Sequence, residues 1–292
     1  MGVSCLYSSF LLLVWGIVKL SVYRLQKINE AYGKYLPGSF LKMLDKRRVI
    51  DFRLGDMTEK EMTIMFSDIR SYTKLSESMT PHDNFRFLVR YLRHIGEVFH
   101  NNKGFPVQYY GDGVMAMFHG KTDNPVQAII DMHRRVAEYS AERIKKRRSE
   151  IKIGIGLHTG KVIMGIRGDA WRWEGGIVGD AVNIASRIKG LTKIFGAATV
   201  IFEDVYNKIE KPQLFHFRFL GKVKLKGKNQ TIKVYELLDG LPEDVFKLKM
   251  QIINDFNKAT GLFDNEKFDE ALALFEQICT VYDDLPRSII SM

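Results

Sequence analysis

Two aspartates in the sequence stand where they could hold metal ions together. Asp68 follows an apolar run that predicts a buried strand, and Asp112 occupies a glycine-flanked turn between two further apolar runs. A lone aspartate at a strand end is usually a cap, whereas paired carboxylates are ligands for hard divalent cations. Two such cations lower the pKa of an attacking hydroxyl and neutralise a triphosphate, as in-line phosphoryl transfer requires.

A second polar pair, Asn183 and Arg187, is four positions apart in a segment that predicts a helix. Side chains at this spacing leave the same face of a helix, so both can reach one ligand. Spacing alone does not assign them to a site, because exposed polar residues on a helix show the same pattern.

Short apolar runs and amphipathic helices alternate around these four residues. Gly111-Asp112-Gly113 between two apolar runs predicts a hairpin, and apolar residues at intervals of three and four predict helices. The predicted elements are strand 62–66, helix 82–101, strands 106–110 and 114–118, helix 125–147, strands 151–157 and 161–166, helix 180–195, and strands near 199, 215 and 234.

The order strand, helix, strand, strand, helix, strand is that of the split βαβ or ferredoxin-like arrangement. We therefore predict an α+β fold with a palm-shaped βαββαβ sheet and helices on one face. Neighbouring strands of such a palm would bring Asp68 and Asp112 together. The domain is expected to span residues 61–238. A fold alone settles no function.

Three segments resemble, in family order, the motifs of the class III nucleotide cyclases. They are Phe66–Thr73 (FSDIRSYT), Tyr110–Gly113 (YGDG) and Gly179–Arg187 (GDAVNIASR). Three spaced motifs are far more specific than any one of them. The resemblance covers about residues 36–238 and is to the bacterial, membrane-anchored type of adenylate or guanylate cyclase.

The resemblance implies a role for each residue of the two pairs. Asp68 and Asp112 would hold two divalent metal ions, Mg²⁺ or Mn²⁺, with the carbonyl of Ile69 as a further ligand. The 3′ hydroxyl of ATP would attack the α-phosphate, and pyrophosphate would leave. Asn183 would orient the ribose, and Arg187 would stabilise charge on the transferring phosphate.

Further substrate contacts follow from the same resemblance. Backbone amides of the segment from Phe66 to Ser71 would cradle the phosphates. For Ser71 and Thr73, helix capping is the competing role. Lys226 matches a family lysine that contacts the terminal phosphates, but neighbouring lysines leave the register open, and a solvated strand face is the alternative.

In this family the metal aspartates come from one subunit, and the Asn, Arg and Lys come from the other. The resemblance therefore implies a homodimer with two sites.

The chain departs from the family where the purine base is read. Adenylate cyclases usually carry Lys four residues before the second metal Asp, and Asp seven before the Asn, but here Gln108 and Gly176 occupy those positions. Gln can donate and accept hydrogen bonds, so it fits either purine, whereas Gly offers no side chain. Guanylate cyclases typically have Glu at the first position, so ATP remains the expected substrate.

The formal net charge of +10 suits nucleic acid, an anionic membrane or a phosphorylated substrate equally well. The two densest basic runs, Lys46–Arg48 and Lys145–Arg148, contain no aromatic residues that could stack on bases. No nucleic-acid partner is therefore predicted, and both runs are interpreted as solvated surface.

The N-terminus predicts a membrane anchor over residues 1–20, because residues 1–18 carry no charge and Lys19, Arg24 and Lys27 follow them. The positive-inside rule then places the catalytic domain in the cytoplasm, tethered to the inner membrane. The alternatives are an apolar helix packed on a missing segment, or the last span of a longer sensor. Residues 21–60 are expected to form a linker, either a signalling stalk or a solvated helix.

The last segment, residues 239–292, has a helix-turn-helix pattern that resembles a single tetratricopeptide (TPR-like) unit. One repeat cannot bury a core, so this tail is expected to pack on the catalytic domain or on its twin, with peptide binding as the alternative.

Three functions compete at this point. The leading hypothesis is an adenylate cyclase that makes cyclic AMP, and a guanylate cyclase is the nearest rival. The third is a signalling module that binds nucleotide without turnover. The four intact residues Asp68, Asp112, Asn183 and Arg187 argue against the third. The activating stimulus, and any upstream sensor, stay unknown.

Overall fold

The computed structural model describes residues 2–35, 38–46, 48–224 and 231–281, with the backbone alone for residues 2–9 and 281. The chain forms two compact units. The smaller unit comprises Met1–Thr58 and Ile163–Ile177, and the larger comprises Glu59–Val162 and Val178–Met292.

The helices and strands, in chain order, are α1 (Gly2–Tyr35), α2 (Gly38–Met43), β1 (Met57–Ile69), α3 (Tyr72–Glu77), α4 (Pro81–Asn101), β2 (Gly104–Tyr110), β3 (Gly113–Phe118), α5 (Asp123–Lys145), β4 (Ile153–Gly168), β5 (Trp173–Val178), α6 (Asp180–Ile194), β6 (Thr199–Phe202), α7 (Glu203–Tyr206), β7 (Phe217–Lys224), β8 (Thr231–Leu237), α8 (Glu243–Asp264) and α9 (Phe268–Val281).

The strand order β2-β3-β1-β4-β6-β8-β7 confirms the predicted α+β fold. β1 and β3 are antiparallel, and their register pairs Ser67 with Val114. The end of β1 therefore lies beside the turn that joins β2 to β3. Gly111 has a φ of +62° in that turn, a backbone conformation that glycine adopts without steric cost.

Helices cover both faces of this sheet, so the prediction of helices on one face was wrong. α4 and α5 pack in one apolar cluster, to which Ile201 of β6 belongs. α6, α8 and α9 pack in a second cluster that contains Val200 and Phe202 of the same strand. Successive side chains of a strand point to opposite faces, so a strand that is apolar on both faces is covered on both.

The C-terminal tail forms the predicted helix-turn-helix of α8 and α9, and it packs on the sheet. Ile252, Phe256 and Ala259 of α8 join the second apolar cluster. The likeness to a tetratricopeptide unit stays a prediction.

A buried ion triad fastens α8 to the sheet. The Arg218 guanidinium donates to Oε2 of Glu236 at 2.6 and 3.1 Å, and the Lys249 ammonium donates to Oε1 at 2.5 Å. All three residues are at most 7% exposed. Burial lowers the pKa of Lys249, while Glu236 acts in the opposite direction. The carboxylate of Glu236 thus compensates two buried cations.

The smaller unit joins the chain before β1 to the second half of β4. The Gly55 amide donates to the Ile166 carbonyl at 3.0 Å, and the Ile166 amide donates to the Asp56 carbonyl at 2.8 Å. Lys46 pairs with Asp56 at 2.9 Å. The two strands predicted at 151–157 and 161–166 are one strand, β4, because residues 158–160 between them stay extended.

Residues 2–35 form a single helix, α1, which merges the predicted anchor with the predicted linker helix. None of the helices described is long and apolar enough to cross a membrane, so the anchor predicted over residues 1–20 is not supported. The uninterrupted apolar run, residues 10–18, measures about 14 Å as a helix, against a hydrocarbon core of about 30 Å.

Glu236→Gln is expected to lower the free energy of unfolding by about 3–5 kcal/mol, because it leaves Arg218 and Lys249 buried without a counter-charge. Urea denaturation followed by circular dichroism measures the change. The matched control is Glu243→Gln, which breaks the exposed pair with Lys247 on the same helix and should change little. Similar losses in both variants would contradict a stabilising role for the triad.

Candidate active site

Asp68 and Asp112 meet at the end of β1, as predicted. The Asp112 carboxylate accepts a hydrogen bond from the Ile69 amide at 2.9 Å, which ties the β2–β3 turn to the residue after Asp68. Asp68 is 8% exposed. Burial raises the pKa of Asp112, as does the neighbouring Asp68, while hydrogen bonds from backbone amides and the charge of Lys189 act in the opposite direction. The two carboxylates thus lie together in one partly buried site.

The surroundings of Asp68 fit a metal ion. Its Oδ1 is buried without a hydrogen-bond partner, and an unpaired buried carboxylate oxygen is costly unless a cation approaches it. Among the described residues, no group of three or more His, Cys, Asp or Glu side chains could hold a metal. Two aspartates and a backbone carbonyl suit Mg²⁺ or Mn²⁺, because Mg²⁺ typically takes few protein ligands together with substrate phosphates.

Tyr91 of α4 lies beneath the two carboxylates. Its side chain is fully buried, and burial, together with the charges of Asp112 and Asp68, raises the pKa of its phenol. The hydroxyl therefore stays protonated and offers the site a hydrogen-bond donor instead of another negative charge.

Lys189 of α6 also lies beside the carboxylates, and it was not predicted as a site residue from the sequence. Its ammonium lies 3.4 Å from Oδ2 of Asp68. Lys189 stands two residues after Arg187 and belongs to none of the three motifs. Only the packing of α6 beside β1 shows the contact, so no local pattern could have indicated it.

Asn183 and Arg187 lie on α6, and both are exposed. The helix therefore presents them to solvent while its Ala181, Ile184 and Ile188 are buried. Such a face can receive a ligand held by another molecule.

The segment predicted to cradle phosphates is partly engaged within the chain. The Ile69 amide bonds to Asp112, and the Arg70 amide donates to the Lys152 carbonyl at 2.8 Å. Ser71 begins α3 with a φ of +53°, and its side chain makes no capping bond. Phe66 is buried and its ring stacks on Tyr110, and Thr73 is exposed in the first turn of α3. The phosphate role of these residues stays a prediction.

The two base-reading positions differ in their surroundings. Gln108 is exposed on β2, and its Oε1 accepts from the Tyr110 hydroxyl at 2.6 Å. In the smaller unit, a side chain at Gly176 would meet Nε of Arg167 at 2.7 Å, and Arg167 pairs with Glu174 at 2.9 Å. An arginine thus lies where the family Asp would project. Lys226 lies outside the described residues.

Comparison with known proteins identifies the family. The family model described as "Adenylate and Guanylate cyclase catalytic domain" matches residues 56–239, which is more than half of the chain. The chain belongs to this family.

Similar proteins include an adenylate cyclase of Anabaena cylindrica, 37% identical over 226 residues, which cover 75% of this chain and 45% of that protein. The terminal-differentiation specific adenylate cyclase of Dictyostelium discoideum is 33% identical over 271 residues, 90% of this chain and 12% of that protein. The chain therefore spans less than half of either relative. The crystal structure of the adenylyl cyclase CyaB from P. aeruginosa is 24% identical and has a TM-score of 0.55. The match covers 64% of the present chain and 98% of the CyaB chain. That likeness shows a shared fold.

Lys189→Gln is expected to tighten Mn²⁺ binding by on the order of threefold to tenfold, because the ammonium competes with a divalent cation for Asp68. Titration of the full chain with Mn²⁺, followed by electron paramagnetic resonance, measures the affinity. Lys193→Gln is the control, since Lys193 is exposed in the last turn of the same helix. Unchanged or weaker Mn²⁺ binding in Lys189→Gln would contradict the competition.

Proposed function

We propose that this cyclase chain converts ATP to 3′,5′-cyclic AMP and pyrophosphate. The observation that carries the proposal is the meeting of Asp68 and Asp112 at the Ile69 amide, with one carboxylate oxygen buried and unpaired. Two divalent cations held there would supply charge neutralisation and an activated 3′ hydroxyl. Family membership and the names of the two curated relatives support the same activity.

The residues of the chain would each have a separate role in the reaction. Asp68 and Asp112 would hold the cations that position the attacking oxygen and the α-phosphate, and the buried Tyr91 stays uncharged beside them. The 3′ oxygen bonds to the α-phosphorus while the bond to the β-phosphate oxygen breaks, and the hydroxyl proton passes to solvent. Such a reaction depends on positioning and electrostatic stabilisation.

A homodimer would complete each site. Asn183 and Arg187 are exposed on α6, so they are accessible to a ligand that a second copy holds. Asn183 would bind the ribose, and the Arg187 guanidinium would stabilise the charge that develops on the α-phosphate. Two equivalent sites follow from a twofold arrangement.

The hydrogen bond of Gln108 favours adenine. Because its Oε1 accepts from Tyr110, the amide NH₂ remains as the donor toward a base. Adenine N1 is an acceptor, whereas guanine presents N–H donors at N1 and N2 and would need an acceptor there. Gly176 adds no side chain, and the Arg167 guanidinium beside it is paired with Glu174. ATP is therefore proposed over GTP, and guanylate cyclase is the second candidate.

The likeness to the bacterial type of this family rests on the sequence motifs, and a cytoplasmic location, where ATP is available, is proposed from the substrate.

The purified full chain is expected to form cyclic AMP from ATP faster than cyclic GMP from GTP, with Mn²⁺ or Mg²⁺ present. Asp112→Asn should lower the rate by about 100-fold or more, because a metal ligand is lost. Asp244→Asn, an exposed aspartate on α8, is the matched control and should retain activity. Product is quantified by chromatography.

Dominant cyclic GMP would move the assignment to guanylate cyclase. Absence of both products, with Mn²⁺ still bound, would favour a signalling module without turnover.

A further inference from the structure

A cavity of about 430 Å³ opens where α3 and the start of α4 face the end of α5. Five of its lining residues are arginines, namely Arg86, Arg90, Arg143, Arg147 and Arg148, and one is acidic, Asp83. We call this cavity the arginine pocket. It shares no lining residue with the candidate active site, so its charge needs a separate explanation.

The arginines of the rim are not neutralised by the chain. Across the described residues, no ion pair involves Arg86, Arg90, Arg147 or Arg148, and all four are exposed. Asp83, the acid of the pocket, instead accepts from the Thr80 hydroxyl at 2.8 Å. Five guanidinium groups against one carboxylate leave an excess of four positive charges.

Arg143 forms the floor of the pocket. It is 5% exposed, its Nε donates to the Ser149 carbonyl at 2.9 Å, and its guanidinium lies 4.7 Å from the centre of the Phe87 ring. No carboxylate in the part of the chain that the structure describes pairs with it. A buried cation without a counter-ion is costly, and a bound anion would remove that cost.

The helix end alone does not account for this cluster. Cations in the last turn of α5 suit the helix dipole, but Arg86 and Arg90 come from α4 and face the same cavity. Arg147 also has a φ of +55°, at a position after the helix where glycine is the usual residue. Lys145–Arg148 is exposed, as predicted, and its two arginines also line the cavity.

We propose that the arginine pocket binds an anion that carries two or more phosphate groups. Each phosphate group carries a charge of about −1.5 to −2 at neutral pH, so two groups match the excess of four positive charges. Arginine forks also recognise phosphate oxygens by paired hydrogen bonds. The same chemistry is offered by free polyphosphates and by the headgroup of a phosphorylated inositol lipid. The inference does not depend on the proposed catalytic activity.

Isothermal titration of the full chain with tripolyphosphate, pyrophosphate and orthophosphate tests the proposal. EDTA and constant ionic strength exclude metal-dependent binding at the candidate active site. Tripolyphosphate and pyrophosphate are expected to bind, and orthophosphate more weakly. Equal affinity for all three anions, or no binding at millimolar concentration, would overturn the proposal.

The variant Arg90→Gln with Arg147→Gly is expected to weaken tripolyphosphate binding by about 100-fold, since it removes two arginines and each lost charged hydrogen bond is worth about tenfold. Its melting temperature should not fall, because glycine suits the φ of +55° at position 147. The control, Arg134→Gln with Arg135→Gln, removes two charges of α5 that pair with Asp131 and Glu138. Equal weakening in both variants would show diffuse charge attraction instead of a site.

Vesicles separate the two sources of the anion. Sedimentation with phosphatidylcholine vesicles that contain phosphatidylinositol bisphosphate tests the lipid source, and phosphatidylserine at matched charge is the control. Selective capture by the first, lost in the Arg90→Gln and Arg147→Gly variant, supports the pocket with a lipid occupant. Equal capture by both vesicles, unchanged in the variant, counts against the pocket.

Discussion

The hydrogen bond from the Ile69 amide to the Asp112 carboxylate is the constraint on which the site depends. It joins the end of β1 to the β2–β3 turn at 2.9 Å and so holds two aspartates, distant in sequence, at one place. Like charges at such a place repel each other, and burial adds to the cost of keeping both ionised. The arrangement persists because the antiparallel register of β1 with β3 leaves the turn no other position. Bound cations would convert this electrostatic cost into affinity.

The rest of the larger unit supports that contact from both faces of the sheet. α4 places Tyr91 below the carboxylates, and α6 places Lys189 beside Asp68. On the same face as α6, α8 is fastened by the buried triad around Glu236. The tail is therefore a structural part of the unit in this chain, and its removal would expose the apolar surface that packs in one cluster with Phe256.

Local patterns in the sequence predicted much of this arrangement, and the exceptions have physical causes. Gly111-Asp112-Gly113 indicated the hairpin, and the spacing of apolar residues indicated α4 and α5, because turn chemistry and helical period are local properties. Lys189 was missed because its contact depends on how α6 packs beside β1. The arginine pocket is lined by residues from α4 and from the end of α5. The run Lys145–Arg148 alone therefore could not predict that its arginines line a cavity. The membrane anchor was predicted because residues 1–18 carry no charge, but the uninterrupted apolar run within them, residues 10–18, is too short to cross the hydrocarbon core.

The central claim is that each site combines the aspartates of one subunit with α6 of another. Mixing two inactive variants, Asp112→Asn and Asn183→Ala, tests it most directly, because one kind of mixed dimer site is then intact. The account predicts that each variant alone is inactive and that the mixture regains about a quarter of the native cyclase activity, as random pairing in a twofold dimer requires. A mixture that stays inactive, although mass spectrometry shows mixed dimers, would contradict the shared site.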